Sequence, residues 1–211
     1  MSANQETRLD PQTIDWRKLD GLVPAVVQDS RSGRILMLGF MNREALERTQ
    51  QTGLATFWSR SRKKLWCKGE TSGNYLQVRS AHTDCDRDSV LLLVDPKGPA
   101  CHKGTTSCFF EDQEFPGLEF LFYLSDLIRR RRETPVKDSY TSKLFSEGMA
   151  KIAKKLGEEA VEVVVSAGQD RSRSIEETAD LIYHLLVFLE ERGIRLEEVV
   201  EELKRRHATD H

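Results

Sequence analysis

The apolar residues of this chain change their period once, near residue 110, and that change limits the possible folds more than any motif does. Between Val23 and Ser107 they fall in short runs separated by turn-forming residues. From Leu118 onward they recur every three to four positions. Short alternating or continuous runs read as strands, and the longer recurrence reads as amphipathic helices. At 211 residues the chain has room for two small domains. Charge breaks at the same place: residues 1–110 carry 16 basic and 12 acidic side chains, whereas residues 111–211 carry 16 and 22. The expected architecture is an α+β domain over residues 21–112, mostly β with a short helix, followed by an all-α helical bundle over residues 117–211. Residues 1–20 are polar and read as an extended N-terminal arm.

Local signals refine this picture. VPAVVQ and ILMLGF are separated by the turn DSRSGR, and Asn42 caps a helix, NREALERTQQ, that stops at Gly53. NYLQVRS alternates, with Leu76, Val78 and Ser80 on one face, and the continuous run in SVLLLV predicts a strand buried on both faces. Helices are expected before Pro135, from about Thr141 to Ala167, from about Ile175 to Arg192, and over LEEVVEELKRRHA. The third of these carries the stripe Ile175, Ala179, Ile182, Leu186 and Leu189. No apolar run reaches the roughly 18 residues of a membrane span, and MSANQETRLD does not read as a signal peptide. The net charge of −2 gives no general pull toward nucleic acid or a membrane. A cytoplasmic protein without a nucleic-acid or membrane partner is expected, its cysteines reduced.

Two groups of residues carry chemistry. In the segment 82–88, an extended strand would point Asp84, Asp86 and Asp88 to one side and Cys85 and Arg87 to the other. Three carboxylates on one face repel unless a cation such as Mg²⁺ neutralises them. Cys85, facing away, can join Cys101 and Cys108 in a softer, Zn²⁺-favouring set with an open fourth position. His102, beside Cys101, titrates near working pH and can handle protons there. The plainer reading is a solvated strand end and small core cysteines. Trp58, Ser59, Arg60, Lys68, Glu70, Thr71 and Ser72 lie in basic, hydroxyl- and glycine-rich segments that suit substrate phosphates, or that form a solvated hairpin tip. The 98–105 segment has Lys-Gly-Thr where a phosphate loop needs Gly-Lys-Thr, and is rejected as one. In the second half, Glu158, Glu159 and Glu162 share a helix face, and Glu177 and Asp180 are three apart on the next helix. Antiparallel, those helices would aim carboxylates into one cleft, an acidic cage for Mg²⁺ and a polyphosphate, with Lys151 and Lys155 near the phosphate oxygens. Against this, Ser174 to Glu177 is a capping-box spacing, and Lys155 with Glu159 fits an exposed ion pair. Arg129 to Arg132 most simply complement a helix C-terminus.

The residues resemble two known families. WSRSRKKLWCKGETSG, HTDCDRDSVLLLV and the CH…C ending of the first half resemble phosphoribosyl-AMP cyclohydrolase. SYTSKLF, KKLGEEAVEVVV and EETADLIYHLLV resemble phosphoribosyl-ATP pyrophosphohydrolase, an all-α relative of the MazG-type nucleotide pyrophosphatases. Their order is that of the fused enzyme of histidine biosynthesis. The resemblance implies cleavage of phosphoribosyl-ATP to phosphoribosyl-AMP and pyrophosphate, then opening of the adenine ring at N1–C6 by zinc-activated water. It implies Mg²⁺ on Asp84, Asp86 and Asp88. It also implies Zn²⁺ on Cys85, Cys101 and Cys108 at the interface of an intertwined homodimer, with ligands from both subunits. Cys67 is left over and reads as structural. Two other functions remain open on the residues alone: a zinc-stabilised RNA-binding module, and a general nucleotide pyrophosphatase in the helical half.

Overall fold

The computed structural model describes residues 9–109, 115 and 117–209. The chain divides into two compact units, residues 1–119 and 120–211. The first unit is strand-rich with a short helix, and the second is helical, as the change of period predicts.

In the first unit, β1 (Val23–Asp29), β2 (Ile35–Met41), β5 (Leu76–Thr83) and β6 (Val90–Pro96) form one sheet in the order β2-β1-β6-β5. β1 and β6 run parallel, and the other pairs are antiparallel. β3 (Thr56–Ser59) and β4 (Lys64–Cys67) make a separate hairpin. The helix α1 (Arg43–Thr52) starts where Asn42 accepts the Ala45 N–H and stops at Gly53. Ala25, Val27, Leu36, Leu46, Phe57, Leu76 and Leu92 are wholly buried and form the core. Burial of a ring such as Phe57 contributes about 1.5–3 kcal/mol.

Three expectations for this unit are corrected. Residues 9–20 are not extended: 3₁₀ turns at Pro11–Thr13 and Trp16–Leu19, capped by Asp10 and Asp15, bury Ile14 against the core. Residues 1–8 of the expected arm lie outside the described residues. The alternation of β5 breaks at a bulge between Val78 and Ser80, so Ala81, not Ser80, returns to the core. β6 buries Val90, Leu92 and Val94 fully, while Leu91 and Leu93 stay half-buried, so only one of its faces is sealed.

The second unit contains α2 (Glu119–Glu133, opening at the boundary), α3 (Tyr140–Glu147), α4 (Met149–Ser166), α5 (Arg171–Glu191) and α6 (Leu196–Thr209). Ile128, Leu144, Ile152, Leu186 and Val187 are its buried core. The single helix expected from Thr141 to Ala167 is two, because Gly148 adopts φ +80, where only glycine sits without strain. The α5 stripe also divides: Leu186 and Leu189 are buried, but Ile175 and Ile182 are exposed. The arginines closing α2 complement its C-terminus. Arg129 also pairs with Asp126 and Glu190, and Arg132 with Glu190 and Glu191. Among the described residues, no helix is long and apolar enough to cross a membrane.

Candidate functional site

The first site is a cavity of about 470 Å³ in the strand-rich unit. Its walls include Trp66 and Cys67 at the end of β4, the following residues Lys68 to Ser72, and the loop carrying Cys101, His102 and Cys108. That loop folds back on itself: Cys101 N–H donates to the Thr105 carbonyl at 3.1 Å, and Cys108 N–H donates to Leu36 of β2 at 2.7 Å. Cys101 and Cys108 are thereby neighbours. The Thr105 hydroxyl, then the Lys103 N–H, holds the Cys101 thiol below its ordinary range. Desolvation, then the nearby Cys101, pushes Cys108 up. Two neighbouring thiols, one shifted down and one up, are a soft donor pair that suits Zn²⁺. His102 lines the same cavity and makes no hydrogen bond to another described residue. Lys68, Glu70, Thr71 and Ser72 line it as well, and Glu70 accepts the Cys67 N–H at 3.1 Å.

Other expected members stand elsewhere. Cys85 is exposed on the turn after β5 and does not line this cavity. Among the described residues of one chain, no metal-sized group contains all three cysteines. Trp58, Ser59 and Arg60 belong to the β3–β4 hairpin and its tip, and the Arg60 guanidinium stacks over the Phe40 ring at 3.8 Å. Cys67, read from sequence as structural, is in the cavity wall, as are Met37, Trp66 and Asn74. Spacing along the chain gives these residues no site role, because strand pairing and loop return bring them together.

The second group is acidic. Oxygens of Asp84, Asp86 and Asp88 lie within 4.8 Å of one another. They converge through a turn rather than the predicted strand. β5 ends at Thr83, and Asp84 accepts the N–H groups of Asp88 and Ser89 at 3.0 and 3.2 Å. Arg87 takes a left-handed φ of +62 to close the loop. The Ser89 hydroxyl, chiefly, holds the Asp84 carboxyl down to about 2. Lys18, from the second 3₁₀ turn, donates to Asp86 at 2.7 Å and Asp88 at 2.9 Å. Those carboxylates in turn raise the Lys18 pKa. A cation of the chain itself stands where three carboxylates call for positive charge.

The third group lies between α4 and α5. Glu159, Glu162 and Glu177 bring oxygens within 4.8 Å of one another. Glu159 and Glu177 are buried and Glu162 is exposed. Lys155, at 2.7 Å, holds the Glu159 carboxyl down against the effect of burial. Sharing with Glu159 and repulsion from it and Glu177 push Glu162 up. Arg173 pairs with Glu177 and with Glu176. Three crowded carboxylates, one of them pushed up by the others, are a donor set that a hard divalent ion would relieve, so the residues fit Mg²⁺. Glu177 is not a helix cap: α5 begins at Arg171, and Asp170 caps it by accepting the Arg173 N–H. Ser174 instead donates its hydroxyl to Ser166 at 3.1 Å. The Lys155–Glu159 pair is likewise not an exposed one. Glu158 stays outside the trio, pairing with Lys154 and Lys155 at 3.5 and 3.3 Å, since it sits one residue round the helix from Glu159. Asp180 is exposed and also outside it, and Lys151 is exposed and away from these carboxylates. Given no individual role by the sequence, His184, Tyr140 and Tyr183 make ring contacts with one another, and His184 is buried 3.7 Å from Glu159.

Known proteins match both units. The phosphoribosyl-AMP cyclohydrolase family matches residues 37–110, and the phosphoribosyl-ATP pyrophosphohydrolase family matches residues 122–207. A strand-rich unit with a thiol-lined cavity and a helical unit with an acidic cluster thus define a bifunctional hydrolase. Similar proteins include histidine biosynthesis bifunctional protein HisIE of Photobacterium profundum, 49 % identical over 92 % of this chain and 97 % of that protein. The protein of the same name from Escherichia coli (strain K12) is 48 % identical over 95 % of this chain and 98 % of its own length. The one from Bacteroides thetaiotaomicron is 49 % identical over 93 % and 97 %. The chain belongs to this family of bifunctional histidine-biosynthesis proteins. These matches do not support the alternative of an RNA-binding module.

Proposed function

We propose that the helical unit, over residues 117–211, cleaves phosphoribosyl-ATP to phosphoribosyl-AMP and pyrophosphate, and that the first unit, over residues 21–112, then opens the adenine ring at N1–C6. The observation that carries this reading is the meeting of Cys101, Cys108 and His102 in one cavity with the Lys68–Ser72 segment. In the helical unit, Glu159, Glu162 and Glu177 hold Mg²⁺, with Asp180 able to turn in from the next turn of α5. Lys155 and Arg173, released from the carboxylates, meet phosphate oxygens of the substrate. In the first unit, Cys101 and Cys108 hold Zn²⁺ together with Cys85 of a second copy of the chain in a homodimer. Support for the second copy comes from the exposed Cys85 and from exposed apolar Leu38 and Phe109.

Zinc, when bound, would supply an acidified water, and magnesium would supply positive charge for the pyrophosphate oxygens. The residues do the rest. Lys68, Thr71 and Ser72 bind and orient the substrate phosphates at the cavity wall. Oxygen adds to C6, the N1–C6 bond breaks, and C6 keeps its exocyclic nitrogen as a carboxamide. His102 delivers the proton that N1 takes up. Asp84, Asp86 and Asp88 hold Mg²⁺ once Lys18 swings away. An enzyme of this kind works in the cytoplasm, on small nucleotides rather than nucleic acid.

An ultraviolet assay with phosphoribosyl-ATP tests the reading. Zinc chelation, or Cys101→Ser, should stall the reaction at phosphoribosyl-AMP while pyrophosphate release continues. Loss of both activities in a folded Cys101→Ser protein would refute separate sites.

A further inference from the structure

We propose that His184 is a positioning residue for pyrophosphate release: with its Nδ1–H anchored on the Asp180 carbonyl, the polar edge of the ring stands 3.7 Å from Glu159 and orients that carboxylate by electrostatic attraction, while Tyr140 holds the imidazole in place from the other side. The proposal rests on the reading of Glu159 as a cation ligand. His184 is buried at 5 % exposure within the apolar stripe of α5, among Leu186, Val187 and Leu189. A histidine there loses hydration that leucine would not, so its nitrogens need partners.

Both have them. Nδ1 lies 2.9 Å from the Asp180 carbonyl. A carbonyl only accepts, so Nδ1 carries a proton whatever the state of Nε2. Nε2 lies 3.2 Å from the Tyr140 hydroxyl on α3. The same Nδ1 edge stands 3.7 Å from Glu159 Oε1 on α4. Lys155 meets Glu159 from one helical turn earlier on α4 itself, whereas His184 meets it from across the helix pair.

Two aromatic rings flank the imidazole. Tyr140 and Tyr183 meet it edge-on, at 85° and 86°, with centroids 6.0 and 5.1 Å away. Tyr183 is fixed in turn by a 2.7 Å hydrogen bond with Thr141. One imidazole thus meets three helices: α3 and α5 by hydrogen bonds to the Tyr140 hydroxyl and the Asp180 carbonyl, and α4 by the longer 3.7 Å approach to Glu159. The Asp180 link also fixes the backbone of the residue expected to complete the cation's ligands. Partners of this kind behind a metal ligand are worth about 10- to 100-fold in metal affinity or activity.

The test is Mg²⁺ titration calorimetry on the full chain, with Glu159→Gln identifying which heat signal belongs to this site. His184→Asn places an amide N–H where Nδ1–H was, and His184→Leu has nearly the same volume without the donor. Leu should weaken Mg²⁺ binding at this site by about 10- to 100-fold. Asn should stay within about threefold of the parent, because it keeps the Nδ1-side donor. Tyr140→Phe, which spares the core because Tyr140 is half exposed, should fall between them. Adenine-ring opening, assigned to the other unit, should be unchanged in all three, and far-ultraviolet circular dichroism on heating should show the helical unit still folded. The proposal is overturned if the Leu variant binds Mg²⁺ like the parent while Glu159→Gln does not. It is overturned equally if Asn and Leu lose the same affinity, since packing alone would then account for the loss. A signal unchanged in Glu159→Gln would instead sink the ligand reading beneath it.

Discussion

Glu159, Glu162 and Glu177 repel one another, and the folded chain tolerates them because Lys155 and Arg173 stand alongside. Glu177→Gln should therefore cut pyrophosphate release by at least about 100-fold while leaving ring opening intact, measured with phosphoribosyl-ATP and phosphoribosyl-AMP as separate substrates. Lys18 plays the counter-ion at Asp86 and Asp88. Exposed pairs of this sort are weak, so Lys18→Gln should tighten Mg²⁺ binding at the aspartates by only about two- to fivefold in calorimetry. Asp95 gives a pH dependence. Burial pushes its carboxyl up, but hydrogen bonds from Arg79 and Ser30 outweigh this and hold it below the usual range. A carboxyl lowered on folding adds stability above its unfolded pKa, near about 3.9, and loses that contribution as pH falls through the folded value. Unfolding free energies from urea titration of the parent and Asp95→Asn should differ by no more than about 1 kcal/mol at neutral pH, and the gap should close toward pH 3.

Elements place these side chains by ending where they do. β4 ends at Cys67, and the turn after it brings Lys68 to Ser72 to the cavity only because Gly69 sits at φ +96 against the Asn74 backbone. A Cβ on Gly69 would lie 2.6 Å from that backbone, closer than any relaxed contact. Gly69→Ala should thus cost roughly 1–3 kcal/mol in stability and depress ring opening without touching pyrophosphate release, seen by urea unfolding and the two assays. The acidic turn after β5 works similarly: Asp84 caps it, and the turn, not strand alternation, gathers three aspartates. Gly148 breaks the helix expected across residues 141–167, letting α3 and α4 pack separately and carry Tyr140 to His184. Turn residues and caps announced α1 from sequence, since Asn42 and Gly53 act within a few residues of themselves. The bulge in β5 and the true start of α5 did not show, because a partner strand and a competing cap at Asp170 decided them.

Each unit closes its own hydrophobic core, one around Phe57 and Leu92, the other around Ile128 and Val187. Cut within residues 112–117, the halves should each fold and keep one activity, ring opening in the first and pyrophosphate release in the second, checked by assaying them separately and together. Sedimentation should report a homodimer for the first half, with zinc lost and ring opening abolished in Cys85→Ser. The change of apolar period near residue 110 settled the two-unit plan, because burying an apolar stripe forces strands or helices by spacing alone. Spacing along a helix likewise determined that Glu159 and Glu162 share a face. Contacts between distant segments were another matter. Cys67 and Cys101 in one cavity wall, Lys18 on Asp86 and Asp88, and His184 between Tyr140 and Glu159 depend on how strands pair and helices cross, energies that no local window of residues contains.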